Sequence, residues 1–279
     1  MGAAMAQRLL TQGWPVHVCD LVAERSQMLA QAGATAHDRP AQAAQAAQAT
    51  ILCVVDATQC QDVLFGPDGI AQAVRLGHTV LLCPTMAPAA VQDMAQALRP
   101  QGVFCIDAPM SGGPARARDG SMSLMVACDG MVFERHRKLL ETLSSHVFRI
   151  SDRVGDGART KLVNNLAAGI HLVAAAEVLA LAQRMGLDQA RTLDVIDQSS
   201  GQCWIGSDRM RRAIVGDLAP RAHMTLLAKD TRLALQAAAE VGFVGPLGAV
   251  ARDVFADACA GGLSEADDAA MLKWLTQDR

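Results

Sequence analysis

Residues 1–20 of the chain read MGAAMAQRLLTQGWPVHVCD, and this stretch decides the fold. Its first ten residues are typical of the opening of a helix, and Val16–Cys19 is typical of a short β-strand that leads into Asp20. A helix, a short turn and a strand tipped with an acid form the second half of a dinucleotide-binding βαβ unit. The pattern therefore predicts an α/β domain built around a nucleotide site.

The first half of such a unit is a strand followed by the first two glycines of G-x-G-x-x-G, and it should lie upstream of Met1. Without that strand the sheet loses roughly four to six buried apolar side chains, each worth about 1.5–3 kcal/mol, and its neighbours keep unpaired edges. Two explanations stay open. The start codon is assigned too late and the natural protein is longer, or the gene is shortened and its product folds poorly or binds its cofactor weakly. We expect the first, because the downstream motifs are intact.

Composition indicates a globular protein with small-molecule partners. The 279 residues are 51% hydrophobic and 19% charged, which suits two ordinary domains and not a disordered chain. A formal net charge of −3 gives no electrostatic basis for binding nucleic acid or an anionic membrane. We therefore expect neither of those partners.

The eight cysteines form no C-x-x-C motif. Cys53, Cys83 and Cys105 lie in apolar, strand-like runs, so we interpret them as small buried hydrophobes rather than as metal ligands, and we expect no metal site. Free thiols fit a reducing cytosol, and the sequence shows no signal peptide. The expected location is the cytoplasm.

The pattern of apolar residues divides the chain into two domains. Up to about residue 150, helical and strand patterns alternate, which predicts a mainly parallel, doubly wound Rossmann-type sheet that lacks its first strand. The strand candidates are Val16–Cys19, Thr50–Val55, Thr79–Cys83, Phe104–Asp107, Leu124–Ala127 and Val147–Arg149. Beyond about residue 150, apolar residues recur at helical spacing and strand signals nearly vanish. We predict a dinucleotide-binding domain over residues 1–152 and an all-helical substrate and dimerisation domain over residues 158–279.

A helix of about 28 residues starting at Ala158 would span roughly 42 Å. Such a helix is long enough to bridge both domains, with its first turns in the cleft between them. Its most apolar part, Leu166–Ala182, carries His171 and Glu177, so a buried helix is favoured over a membrane span.

At the nucleotide end, Gly2 has the place of the third glycine, where the absence of a Cβ lets helix and strand pack closely. Asp20 follows it by 18 residues, which suits the acid that binds a ribose 2′-hydroxyl, and a carboxylate there favours NAD over NADP. The alternative is that Asp20 merely ends a strand. Thr85, after the strand Thr79–Cys83, could reach a ring bound at the sheet edge or could cap the next helix.

Three further motifs carry candidate chemistry. Ser111, Gly112 and Gly113 follow the strand Phe104–Asp107, and their hydroxyl and unshielded N–H groups suit a carboxylate, although a plain turn is the simpler interpretation. Lys161 and Asn165 lie four residues apart, on one face of a helix. A lysine and an amide beside a cleft can protonate and orient a substrate oxygen, because burial of a lysine lets it act near neutrality. The alternative is a solvated lysine.

The pair Lys229-Asp230 lies inside an apolar helical stretch, where a surface ion pair is the alternative to a functional role.

Taken together and in this order along the chain, these motifs resemble those of the β-hydroxyacid dehydrogenase family, and the resemblance covers essentially the whole chain. Met1–Ala6 matches the end of G-L-G-x-M-G-x-x-M-A, and Asp107–Gly113 matches D-A-P-V-S-G-G with Met110 for Val. Gly155–Asn165 matches G-x-G-x-x-x-K-x-x-N-N at every fixed position.

The resemblance implies roles for the matching residues. Lys161 is the general acid in carbonyl reduction and the base in alcohol oxidation, and Asn165 positions the substrate. The substrate is held by Ser111, Gly112, Gly113 and Lys229, and NAD, or less favourably NADP, by Met1, Gly2, Asp20, Thr85, Lys229 and Asp230. Pro84-Thr85 departs from the family's usual Ser-Thr.

Within the family, residues 54–59, 63–66, 200–204 and 209–210 are most similar to the L-threonate dehydrogenases, so we expect a small hydroxycarboxylic acid as substrate. The apolar helices of the second domain and the family resemblance lead us to expect a homodimer or homotetramer. The alternatives are 3-hydroxyisobutyrate dehydrogenase and tartronate semialdehyde reductase. A 6-phosphogluconate dehydrogenase is disfavoured, because Asn164 stands where that relative has His and the chain has no Tyr. A second alternative is a truncated, non-catalytic relative with weak cofactor binding.

Overall fold

The computed structural model describes residues 1–277, which form thirteen α-helices and eight β-strands. The strands are His17–Val18 (β1), Thr35–Ala36 (β2), Ala49–Leu52 (β3), Thr79–Leu82 (β4), Phe104–Asp107 (β5), Met110–Ser111 (β6), Ser123–Ala127 (β7) and His146–Ser151 (β8). The helices are Gly2–Thr11 (α1), Ala23–Gln31 (α2), Pro40–Gln45 (α3), Ala57–Phe65 (α4), Pro88–Leu98 (α5), Gly113–Asp119 (α6), Gly130–Leu143 (α7), Asp156–Arg184 (α8), Gln189–Asp197 (α9), Trp204–Ile214 (α10), Met224–Glu240 (α11), Pro246–Ala258 (α12) and Met271–Thr276 (α13). The chain divides into two compact units between Lys161 and Leu162, inside α8.

The first unit contains all the strands of the described chain. β3, β4 and β5 are parallel neighbours, with Leu82 opposite both Leu52 and Asp107. β7 runs antiparallel to β5 and β6 and parallel to β8, so the sheet is mixed at this end rather than parallel throughout. β1 and β2 form a separate two-stranded parallel sheet, and within residues 1–277 neither β1 nor β3 has a strand on its other side.

Helices cover both faces of the larger sheet. Leu81, Ile106 and Val126 point to a core that includes α1, α6 and α7, while Val80 and Leu82 point to a second core with α4 and α5. Alternate residues of β4 are thus buried on opposite faces. This burial explains why β4 is a continuous apolar run, as strands covered on both sides are.

The second unit is helical and has its own core. Leu172, Ala176 and Leu179 of α8 pack with Met224 and Phe255, which are buried in α11 and α12. By length and composition alone, α8 is apolar enough to cross a membrane, and almost half of its most apolar stretch is buried within the protein.

The sequence predicted the main elements and missed the weakest ones. Phe104–Asp107 has the predicted bounds, and α8 begins at Asp156, two residues before the predicted start. β2 and β6 were not predicted, since two-residue strands leave no period to detect. Trp204–Ile214 was also missed, because charged residues interrupt its apolar positions.

Candidate active site

The bend at Ser111-Gly112-Gly113 lies just after the carboxyl end of β5. Ser111 ends β6, opposite Ser123 of β7, and is half-buried. Gly112 and Gly113 have φ angles of 126° and 76°, a left-handed region that side chains disfavour. A Cβ on Gly112 would also lie 2.9 Å from Cδ of Arg116. The two glycines are therefore required by the bend.

Asp107, the last residue of β5, connects this region to the start of α8. Its Oδ2 accepts hydrogen bonds from the backbone N–H groups of Gly155 at 2.8 Å and Ala158 at 3.0 Å. Its side chain is only 1% exposed. The amino end of α8 is thereby attached to the strand that leads into the bend, within one compact unit.

Lys161 and Asn165 lie one turn apart on α8. Lys161 is 7% exposed and Asn165 is 8% exposed. The solvated lysine considered as an alternative is therefore excluded. A lysine and an amide one helical turn apart are residue types that can move a proton and orient a hydroxyl.

Asn165 belongs to a network in the second unit. Its Nδ2 donates to Oδ2 of Asp230 at 2.5 Å, and its Oδ1 accepts from Nδ2 of Asn164 at 3.0 Å. Nζ of Lys229 lies 3.4 Å from Oδ1 of Asp230. Since Asp230 is 6% exposed, Lys229-Asp230 is not the surface ion pair considered as an alternative.

Two of the residues predicted to bind the nucleotide, Gly2 and Asp20, lie at the start of α1 and just after β1. A Cβ on Gly2 would lie 3.3 Å from Cβ of Cys53, so a glycine here permits the close approach of α1 to the end of β3. Asp20 follows β1 and is exposed; its Oδ1 accepts from the Val22 N–H at 2.9 Å and lies 3.6 Å from Nη1 of Arg25. A glycine at a close approach and an accessible carboxylate after a strand fit a dinucleotide.

Thr85 is half-buried in the loop that follows β4. The N-cap of α5 is Ala87, so Thr85 does not have the capping role that the sequence left open. Its place after the carboxyl end of a central strand is where open α/β sheets bind ligands.

Comparison with known proteins decides the family. A family described as the NAD binding domain of 6-phosphogluconate dehydrogenase matches residues 1–151, and one described as the NAD-binding of NADP-dependent 3-hydroxyisobutyrate dehydrogenase matches residues 155–275. An L-threonate dehydrogenase from Cupriavidus necator is 35% identical over 273 residues, which cover 98% of this chain and 92% of the relative. The chain belongs to the β-hydroxyacid dehydrogenase family.

Solved structures agree with this assignment. A crystal structure of 3-hydroxyisobutyrate dehydrogenase from Salmonella typhimurium superposes on this β-hydroxyacid dehydrogenase with a TM-score of 0.92 and 33% identity, covering 98% of this chain and 95% of that one. Psf3 in complex with NADP+ and 2-OPP gives a TM-score of 0.92 at 27% identity, covering 99% of this chain and 96% of that one. The protein is an NAD(P)-dependent dehydrogenase that acts on CH–OH groups.

The predicted family, fold class and dinucleotide cofactor are thus confirmed. The roles of individual site residues stay predictions. Within residues 1–277, no group of three or more His, Cys, Asp or Glu is arranged to hold a metal ion.

Sequence reasoning gave Asp107 no role and missed the bond between Asn165 and Asp230. The only available signal for either was a carboxylate in a buried element, which does not reveal its partner.

Proposed function

We propose that this dehydrogenase oxidises a small polyhydroxylated carboxylic acid, of the L-threonate kind, at a carbon close to the carboxylate, with NAD. The observation that carries the proposal is the burial of Lys161 on a helix whose first turn is attached by Asp107 to the strand preceding the Ser111–Gly113 bend. A proton-transfer group and a carboxylate-binding bend thereby belong to one compact unit. Similarity to the L-threonate dehydrogenases supplies the substrate class.

The proposed chemistry divides among the site residues as follows. The Ser111 hydroxyl and the N–H groups of Gly112 and Gly113 bind the substrate carboxylate. Asn165 orients the reacting hydroxyl, and Lys161 takes its proton during oxidation and returns it during reduction. The bound cofactor supplies the nicotinamide ring that accepts the hydride.

The remaining predicted residues are assigned to binding. Met1 and Gly2 approach the pyrophosphate, Asp20 binds the adenosine ribose and Thr85 lies by the nicotinamide. Lys229 contacts the substrate or cofactor, while Asp230 acts through Asn165, because its Oδ2 is engaged by that amide. The exposed carboxylate of Asp20 supports NAD over NADP, since it would repel a 2′-phosphate.

A substrate panel tests this function. L-Threonate, 3-hydroxyisobutyrate, glycerate and gluconate are each assayed with NAD and with NADP, and NADH binding is measured by fluorescence titration. We expect the highest kcat/KM for L-threonate with NAD. A preference for 3-hydroxyisobutyrate, or for tartronate semialdehyde in the reductive direction, would assign the protein to those branches. Absence of NADH binding would favour the non-catalytic alternative.

We also propose that two or four copies of the chain assemble through α8. Its exposed residues include Ala167, Ala174, Val178, Leu181 and Met185, which follow one another at intervals of seven, four, three and four residues. Such a stripe is typical of a helix that packs against a second helix, and a second copy of the chain provides one. Sedimentation of the wild type and of a Leu181→Arg variant tests this; a monomeric wild type would contradict it.

We place the protein in the cytoplasm. All eight cysteines are free thiols, and Cys60, Cys83 and Cys128 are buried. Free thiols in this number are typical of a reducing compartment.

A further inference from the structure

Asp107 is a buried carboxylate that the proposed chemistry does not use. Beyond its two bonds to the N–H groups of Gly155 and Ala158, it also interacts with the backbone N–H of Gly157. These are three of the backbone donors at the beginning of α8, which have no partners inside the helix itself. The carboxylate therefore satisfies the first turn of the helix that bears Lys161.

The contact between Asp107 and the start of α8 requires glycines at two positions. A Cβ on Gly157 would lie 2.9 Å from Cγ of Asp107 and 2.7 Å from the carbonyl oxygen of Met125. Gly155 has a φ angle of 102°, where a side chain is disfavoured. Both glycines of the Gly155–Asn165 motif thus serve the approach of helix and carboxylate.

The contact joins two short segments of the site. Ser111 is four residues after Asp107, so its Cα lies within about 14 Å of that of Asp107. Lys161 is three residues after Ala158, a rise of about 4.5 Å along the helix. Any loosening of the contact therefore displaces Lys161 relative to the bend.

The surroundings of the carboxylate are almost free of charge. Three thiols interact electrostatically with it, Cys105 of β5 and the residues that follow β4 and β7, Cys83 and Cys128. Burial raises the pKa of all three thiols, which keeps them neutral. Asp156 also acts on the carboxylate electrostatically, and it pairs with Arg153 and Arg159. Burial raises the pKa of Asp107 to about 6, so its charge is lost in mild acid.

We propose that Asp107 is a positioning residue, whose carboxylate holds the first turn of α8 against the end of β5 and so fixes Lys161 relative to the Ser111–Gly113 bend. This inference rests on the proposed function, because the bend and Lys161 are assigned to the substrate there. The attachment of α8 to β5 through Asp107 can also be tested without measuring enzyme activity.

The test compares Asp107→Asn with a matched control, Asp152→Asn, which changes an exposed acid four residues before the start of α8. Hydrogen exchange of the backbone amides of residues 155–158 is measured by mass spectrometry, alongside kcat, the NADH dissociation constant and the pH profile of kcat. In Asp107→Asn we expect faster exchange, a fall in kcat of about 10²-fold and unchanged NADH binding. The control should keep kcat near the wild-type value.

The pH profile separates positioning from general damage. Wild-type kcat should fall as the pH drops through about 6, whereas Asp107→Asn, which has no carboxyl to protonate, should show no corresponding fall. If Asp107→Asn had the same kcat as the wild type, the positioning role would be overturned. If the hydrogen exchange of residues 155–158 were unchanged in the variant, the attachment of α8 to β5 through Asp107 would be overturned. If the wild type oxidises none of the acids, the proposed function fails and the exchange data alone judge the attachment.

Discussion

At the scale of single residues, Asp230 is a buried acid that binds the amide of Asn165. Oδ2 accepts from Asn165 at 2.5 Å, and Oδ1 has Lys229 at 3.4 Å but no hydrogen bond within the described residues. A hydrogen bond to a charged group stabilises by about 1.5–3 kcal/mol. The network fixes the orientation of the Asn165 amide, which is the property that the proposed mechanism needs from it.

We expect Asp230→Ala to lower kcat/KM at least about tenfold, because Asn165 loses the acceptor that orients it. Steady-state kinetics measures the effect, and circular dichroism checks that the variant is folded. Asp253→Ala, which removes an exposed acid of α12, is the control and should behave as wild type. Full activity in Asp230→Ala would show that the amide does not depend on this bond.

A second residue-scale prediction concerns the choice of cofactor. Replacing Asp20 by Ser removes the carboxylate that we propose accepts from the ribose, and it leaves Arg25 without its partner 3.6 Å away. We expect NAD affinity to fall on the order of tenfold and the preference for NAD over NADP to shrink or reverse. Titration with both cofactors measures this. Asp38→Ser, at an exposed acid beyond β2, should leave both affinities alone, and an unchanged preference in Asp20→Ser would exclude Asp20 from the ribose site.

At the scale of elements, α8 depends on a small residue to pack against α11. A Cβ on Gly169 would lie 2.6 Å from Cγ2 of Thr231, a side chain that is fully buried and hydrogen-bonded to the Leu227 carbonyl. Thr231 is β-branched and held by this bond, so it cannot easily move aside. The glycine is thus required by the packing of the two helices.

Gly169→Ala should therefore destabilise the protein. Overpacking costs about 1–3 kcal/mol, of which the better helix propensity of Ala returns up to about 1 kcal/mol. Thermal unfolding measures the difference, with Gly201→Ala as the control because its new Cβ would meet only Ile196 at 3.5 Å. If the Tm of Gly169→Ala were at or above that of the wild type, α8 and α11 would accommodate the added methyl group without cost, and the glycine would not be required.

Elements and contacts differ in how far the sequence predicts them. The bounds of β5 and the start of α8 were predicted to within two residues, because the apolar pattern of each element lies within one continuous segment of sequence. The contacts that organise the site join residues far apart, Asp107 to Gly155 over 48 positions and Asn165 to Asp230 over 65. No local period encodes such pairs, so motifs identified Lys161, Asn165 and Asp230 but not the bonds that Asp107 and Asp230 make.

At the scale of the whole molecule, acid stability should depend on Asp267. This fully buried carboxylate accepts from the N–H groups of Arg221 at 2.7 Å and Ala269 at 3.0 Å, and from Nη2 of Arg212 at 2.7 Å. It thereby joins the segment before α11 to the turn before α13. These hydrogen bonds outweigh burial and lower the pKa of Asp267 to about 2.

A carboxyl whose pKa is lower in the folded state stabilises the fold above its unfolded pKa, and the contribution is lost as the pH falls through the folded value. The contribution of Asp267 should thus be complete above about pH 4 and disappear towards pH 2. Asp267→Asn should be less stable at pH 7, and its difference from wild type in denaturant unfolding should shrink in acid. A difference independent of pH would contradict this.

The proposed mechanism depends on Lys161 as the group that moves the substrate proton. The most direct measurement is the turnover number of Lys161→Ala with the best acid of the substrate panel, together with its NADH dissociation constant. We predict a fall in turnover of at least about 10²-fold with NADH affinity retained, because only the proton transfer is removed. Turnover equal to that of the wild type would contradict the mechanism, whatever the identity of the substrate.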